Sequence, residues 1–420
     1  MNEKLLQYLW NFKIFNNFDF KDVQGNTLEI LEFGTWNFDS GPDFLLGKIK
    51  TKDLVLVGNI ELHVKSSDWI FHRHSGNPEF KNIIAHVVFI HDIEIEEFTD
   101  NNIPTLELKN YIDEKLLSKY QLLLEQTQFI PCEKIFDIKH LPVNFHEENL
   151  LKKLDVKSIE IEERLQTFKN NYEAVLFHQL AYAFGLKVNA PLFKQLAESI
   201  NYTIFNKIRQ NQTQLEALLF GMCNWLENPL DEQTTIWKRE FEFLKKKYQL
   251  SETFIHPKFS KLRPPNFPTI RLSQLASLYH ANQNLFSKLI TAKNIDQLYF
   301  IFTKVAASEY WYNHYNFGKI SPVQTEKRLT KDFIALILIN AVLPLRYTYH
   351  KNTSASIVED ISTLYQNIPA ENNTIIENWK SLGAHPKNAL ESQSLLYHYH
   401  HLCLTKNCLN CSIGLSLMKS

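Results

Sequence analysis

Two acidic residues and the basic residues after the second one form the group best suited to chemistry in this sequence. Asp43 opens an apolar run, and Glu61 lies in a second run that ends in alternation from Ile60 to Lys65. Alternation with a period of two is typical of a half-buried strand, whose side chains point in turn to opposite faces. Glu61, His63 and Lys65 are therefore predicted to share one face of a strand.

Carboxylates at the start of one strand and in the middle of its neighbour would form an oxygen site for Mg²⁺ or Mn²⁺. Such a cation activates water toward a phosphodiester, and we predict that Asp43 and Glu61 bind it. His63 lies two residues beyond Glu61, about 7 Å along the strand. We predict that His63 assists directly or that Lys65 assists by reaching back. The alternative is a polar sheet face with ordinary surface charges.

These residues also resemble a known motif. Pro42 and Asp43, a hairpin-length spacer, Glu61 and a basic position two residues later are similar to the PD-(D/E)XK nucleases, which usually have lysine where this chain has His63. The resemblance implies a restriction-endonuclease-like core in which a helix, three strands, a crossover and another strand follow in order. The sequence offers that order, with a short crossover and a buried strand predicted over Ile83–Ile90.

The rest of the chain has helical periodicity. We predict an α+β protein with a nuclease-like mixed-sheet core over residues 1–130, followed by a mainly α-helical domain over residues 131–420. Tyr172–Phe184 is predicted to be a helix that ends at Gly185. The apolar run Phe333–Leu345 is too short to span a bilayer and is predicted to be a buried core helix.

Composition and charge bear on location and partners. Hydrophobic residues make up 44% of the 420 residues and charged residues 22%, as in ordinary globular proteins, and no signal peptide or membrane anchor is visible. We therefore expect a cytoplasmic protein with no membrane partner. Up to Ile130 there are 12 Lys and Arg against 20 Asp and Glu, and beyond it 33 against 26. A more basic second part is compatible with nucleic acid as a partner, although a mixed solvated surface has the same composition.

Five cysteines suggest a second metal site. Three of them form the spacing C-x₄-C-x₂-C near the end of the chain, as Cys403, Cys408 and Cys411. Disulfides are not expected in a cytoplasmic protein, and clustered cysteines are commonly metal ligands. Cys132 is the candidate fourth ligand of an iron–sulfur cluster. Zinc is one alternative, with a histidine of the segment 398–401 as the fourth ligand. A set of unligated thiols is the other alternative.

Other histidines offer a competing site near the first motif. His72, His74 and His86 could join His63 in binding zinc, and imidazole ligands would then displace the Mg²⁺ interpretation. Taken singly, each of them is more simply explained as a structural histidine.

A longer resemblance covers nearly the whole chain. The sequence is similar to the bacterial family called domain of unknown function 2851, which implies no established activity. The similarity rests on the stretches Asn37–Phe44, Glu61–His63, Asp68–Trp69, Tyr172–Asn189 and Arg263–Arg271 and on the terminal cysteines.

Two classes of function follow from these observations. The first is a metal-dependent nuclease or nuclease-like phosphodiesterase acting on DNA or RNA, with the helical region binding substrate or a protein partner. The second is a non-catalytic scaffold that binds protein or nucleic acid through a degenerate nuclease fold with a structural metal site.

Overall fold

The chain folds into two units in the computed structural model, which describes residues 1–37, 41–51, 54–125, 129–251, 253, 255–353 and 356–419. Residues 38–40 of the stretch Asn37–Phe44 thus lie outside the described residues. The first unit comprises Met1–Pro142 and Tyr399–Ser420, and the second comprises Val143–His398. Sequence analysis placed residues 131–420 in a single helical domain, whereas the units divide after Pro142 and the end of the chain belongs to the first unit.

The first unit is built on a mixed sheet. Its elements are α1 (Glu3–Asn11), β1 (Leu28–Glu32), β2 (Thr35–Trp36), β3 (Phe44–Thr51), β4 (Leu54–Lys65), α2 (Asp68–Phe71), β5 (Ile83–Ile90), α3 (Glu96–Asp100), β6 (Thr105–Glu107) and α4 (Glu114–Glu125). The strand order is β1-β3-β4-β5-β6, with β2 paired to β3. β3 is antiparallel to β4, whereas β4, β5 and β6 are parallel. The mixed sheet predicted for the N-terminal part is therefore confirmed.

Alternation along β4 separates a core face from a polar face. Ile60 and Leu62 are fully buried in a cluster with Leu9 and Trp10 of α1. Glu61 and His63 lie on the other face, and both are also buried. A polar face that is buried must pair its polar groups with one another or with a ligand, because an unpaired buried polar group is costly.

The second unit is mainly helical. Its elements are α5 (Phe145–Thr167), α6 (Tyr172–Phe184), α7 (Leu186–Ser199), α8 (Tyr202–Ile208), α9 (Gln212–Met222), α10 (Glu232–Tyr248), α11 (Pro268–Ala281), α12 (Leu285–Thr291), α13 (Ile295–Thr303), β7 (His314–Asn316), β8 (Lys319–Ile320), α14 (Lys331–Ile337), α15 (Leu343–His350), α16 (Ile357–Gln366), α17 (Thr374–Ser381) and α18 (Ala389–His398). The predicted bounds of α6 are confirmed, and Gly185 lies at its end.

One helical run in the second unit is apolar enough to be compared with a membrane span. Lys331–His350 passes that test by length and composition among the described residues, yet 67% of its most apolar window is buried inside the protein. This burial agrees with the prediction that Phe333–Leu345 belongs to a buried core helix.

The second unit contains a buried carboxylate that is hydrogen-bonded to a hydroxyl. In the second unit, the Glu216 carboxylate accepts a hydrogen bond from the hydroxyl of Ser273. Burial raises the pKa of Glu216 to about 7.

After α18 the chain returns to the first unit, where it ends with α19 (Ser412–Lys419).

Candidate metal centre

Asp43, just before β3, and Glu61, within β4, each accept a hydrogen bond from a backbone amide of the other segment. The Asp43 amide donates a hydrogen bond of 3.0 Å to Oε2 of Glu61. The Leu62 amide donates one of 3.0 Å to Oδ2 of Asp43. The antiparallel register of β3 and β4, in which Phe44 faces Ile60, creates this exchange. The structure therefore brings the two predicted carboxylates together.

Helix α1 contributes two polar groups that sequence analysis missed. Nε2 of Gln7 donates to Oδ1 of Asp43 at 2.7 Å and to Oε1 of Glu3 at 3.3 Å. Glu3 and Gln7 are four residues apart and therefore lie on one face of the helix. That spacing was the available signal, but nothing local indicated that this face meets Asp43.

Two imidazoles, those of His63 and His74, contact the Glu61 carboxylate, and those of His72 and His86 lie beside them. Nε2 of His63 lies 3.7 Å and Nε2 of His74 lies 3.4 Å from Oε1 of Glu61. His63, His72 and His74 each offer a nitrogen, and these nitrogens lie within 4.8 Å of one another. Nδ1 of His63 also contacts Nε2 of His86 at 2.9 Å. The structure thus gathers all four histidines of the competing zinc hypothesis, three of them as candidate ligands.

The indole ring of Trp69 packs against this group of imidazoles. Trp69 is 1% exposed, and the centre of its ring lies 5.1 Å from that of His74 and 5.8 Å from that of His86. Its Nε1 donates to the hydroxyl of Ser75 at 2.9 Å. Trp69 is therefore a buried neighbour of the His74 and His86 rings.

Burial sets the protonation of these groups. It raises the pKa of Asp43 to about 7, and burial with the negative charge of Asp43 raises the pKa of Glu61 to about 9. The same desolvation, with unfavourable interaction with neighbouring imidazoles, lowers the pKa of His63 to about 2 and of His86 to about 3. At neutral pH the protein alone thus carries neutral His63 and His86 beside a carboxyl pair that retains a proton.

Several polar atoms of the site remain unpaired. Among the described residues, Nε2 of His63, Nε2 of His74 and Nδ1 of His86 are buried and accept or donate no hydrogen bond. Buried polar atoms are nearly always paired in folded proteins, and an exception calls for a ligand or another explanation. Neutral imidazole nitrogens that point at a carboxylate fit a divalent cation.

Lys65, the other predicted catalytic residue, is exposed at the end of β4. Its backbone amide donates to Oδ2 of Asp68 at 2.9 Å. His63, by contrast, has its Nε2 3.7 Å from Oε1 of Glu61.

The predicted cysteine ligands form a separate group in the first unit. Cys132, Cys403, Cys408 and Cys411 are all buried and unbridged. The remaining cysteine, Cys223, is fully buried in the second unit.

Comparison with known proteins identifies a family without assigning an activity. Residues 3–374 match the family described as "Protein of unknown function (DUF2851)". No curated protein and no solved structure gives a significant match to the chain.

Proposed function

The chain belongs to this family of proteins of unknown function, and from its own residues we propose that it is a metal-dependent phosphodiesterase that cleaves nucleic acid. The observation that carries the proposal is the convergence of Asp43, Glu61, His63 and His74 on one place, with the imidazole nitrogens unpaired. Strongly perturbed carboxyl and imidazole groups in one cluster are typical of functional sites.

The proposed ligands define the cation. Asp43 and Glu61 supply oxygen, whereas Nε2 of His63 and Nε2 of His74 supply nitrogen. Mg²⁺ prefers oxygen ligands and water, while imidazole suits transition metals. We therefore place Mn²⁺, or Zn²⁺, ahead of the Mg²⁺ expected from the carboxylates alone. Nδ1 of His63 lies 2.9 Å from Nε2 of His86, and in the tautomer whose Nδ1 carries the proton, Nε2 of His63 is left to bind the cation.

The order of elements supports the same proposal. A helix, antiparallel strands and a crossover to a parallel strand follow one another, with Asp43 just before β3 and Glu61 within β4. This order is similar to that of PD-(D/E)XK nucleases, with His63 where they usually carry lysine.

The residues of the site have distinct roles in this proposal. A bound divalent cation polarises a phosphodiester and lowers the pKa of water. Asp43 and Glu61 hold the cation, and Gln7 fixes Oδ1 of Asp43 from α1. Trp69 packs beside the His74 and His86 rings. We place DNA or RNA as the substrate in a cytoplasmic setting, with the second unit as the candidate surface for nucleic acid or a protein partner.

The test is cleavage of linear duplex DNA, single-stranded DNA and RNA with Mg²⁺, Mn²⁺ or Zn²⁺. Asp43→Asn should lower the cleavage rate at least a hundredfold, because a cation ligand is lost while the side chain keeps its size. Glu29→Gln is the matched control, since Glu29 lies on the same sheet in an exposed ion pair with Lys50. It should leave the rate unchanged.

Two outcomes would overturn the proposal. Cleavage that survives Asp43→Asn would place the activity elsewhere. Stoichiometric binding of a cation without any cleavage would favour a scaffold with a structural metal site, an alternative that the full burial of His63 against His86 also supports.

A further inference from the structure

The four cysteines of the first unit come from two segments that are remote in sequence. The Phe129 and Tyr399 rings stack with their centres 4.7 Å apart and an angle of 15° between their planes. Phe129 precedes Cys132 by three residues, and Tyr399 precedes Cys403 by four. The stacking therefore fastens both segments together close to their cysteines.

A compact turn arranges the three C-terminal cysteines. The Lys406 amide donates to the carbonyl of Cys403 at 3.0 Å, and the Cys411 amide donates to that of Cys408 at 3.2 Å. The Gly414 amide donates to the sulfur of Cys411 at 3.4 Å. A Cβ at Gly414 would lie 2.4 Å from the Cys408 carbonyl oxygen, so the start of α19 packs directly on this turn.

The thiol of Cys132 lies within electrostatic reach of the C-terminal thiols. Burial, followed by the charges that Cys411 and Cys408 would carry, raises the pKa of Cys132 to about 12. Burial and the charges of the other three cysteines also raise the pKa of Cys403. The four thiols therefore interact with one another within the first unit, as the stacking of Phe129 on Tyr399 also indicates.

We propose that Cys132, Cys403, Cys408 and Cys411 form a four-thiolate metal centre that fastens the end of the chain to the segment after Phe129. Four buried thiols lie within the first unit, so four ligands are available there without a histidine. His400 and His401 are exposed.

The spacing of the cysteines along the sequence bears on the occupant. Cys403, Cys408 and Cys411 follow the spacing C-x₄-C-x₂-C, and Cys132 comes from a remote segment. This spacing, completed by a distant fourth cysteine, occurs in iron–sulfur ligation. We therefore expect iron and sulfide at this centre.

The experiment measures iron, sulfide and zinc per chain, with the visible absorption spectrum, in full-length protein purified without oxygen. All samples carry Asp43→Asn and Glu61→Gln, so that metal bound at the proposed catalytic site does not add to the metal measured per chain. Cys132→Ala and Cys408→Ala should lose the metal and the absorption. Cys223→Ala, a buried cysteine of the second unit, is the matched control and should retain both.

Limited proteolysis provides a readout that does not depend on folding of the variants. Lys406 is exposed within the turn that the metal would close. Chelation of the metal from the otherwise unmodified chain should speed tryptic cleavage after Lys406 at least tenfold. It should also make four of the five cysteines reactive toward iodoacetamide.

The outcomes are distinct. Zinc in place of iron, with the same dependence on Cys132, would support the four-thiolate centre and overturn the cluster as its occupant. Metal-free protein, or metal retained in both Cys132→Ala and Cys408→Ala, would overturn the centre itself. Neither result depends on whether the protein cleaves nucleic acid.

Discussion

Binding of Mn²⁺ at Asp43 and Glu61 should depend on pH, because the cation must displace a proton from the carboxyl pair. In the absence of a cation the pKa of Glu61 is about 9 and that of Asp43 about 7, both raised by burial. Protons and the cation then compete for the same oxygens. Affinity for Mn²⁺ is therefore expected to increase as the pH rises toward 9.

The magnitude follows from those pKa values. Between pH 7.5 and pH 9, deprotonation of the pair, mainly of Glu61, strengthens apparent binding on the order of tenfold, or about 1 to 2 kcal/mol. At pH 8 about one proton should leave for each cation bound. The His63 and His86 imidazoles, whose pKa values burial lowers to about 2 and about 3, are already neutral in this range and add little.

Isothermal calorimetry in two buffers of different ionisation enthalpy measures both the affinity and the protons released. Glu61→Gln should bind more weakly and lose most of the pH dependence, because the amide has no proton to give up. Glu29→Gln should behave like the unmodified chain. A change below threefold between pH 7.5 and pH 9, or an equal change in Glu61→Gln, would refute the reasoning.

Three further results are expected. Since burial raises the pKa of Glu216 to about 7, its contribution to stability is present below its unfolded pKa and lost as pH rises. The free energy of opening that hydrogen exchange measures over residues 143–398 should fall by about 2 to 3 kcal/mol from pH 5 to 8. Glu216→Gln should remove this fall, and an equal fall in that variant would contradict the reasoning. Gly58→Ala should lower the free energy of unfolding in urea by about 1 to 3 kcal/mol, because its Cβ would lie 2.6 Å from the Asn82 carbonyl oxygen. Unchanged stability would show that the backbone at Asn82, just before β5, can move away. Asp231→Ala should destabilise α10 by about 1 to 2 kcal/mol in hydrogen exchange, because the carboxylate caps the Thr234 amide at 2.8 Å, and undiminished protection of α10 would count against this cap.

Local patterns in the sequence were sufficient for much of the fold. The alternation from Ile60 to Lys65 predicted the faces of β4, and the apolar run Ile83–Ile90 predicted β5 with its observed bounds. Helical spacing and a following glycine predicted the bounds of α6. Each of these signals depends on residues within one or two turns or a few strand positions. Periodicity of side chains is a local property, and sequence alone contains it.

The grouping of the site was decided by tertiary structure. Pairing of β3 with β4 brought Asp43 to Glu61, as the motif suggested, but the return of the crossover brought His74 there and the docking of α1 brought Gln7. Sequence analysis named the cysteines and histidines without establishing which of them meet. It also left the end of the chain in the helical domain, whereas the structure places Tyr399–Ser420 with the first unit. Periodicity determines which way a side chain points along its own element. Distances between residues far apart in sequence are set by strand register and by the packing of one element on another, and these depend on the whole folded unit.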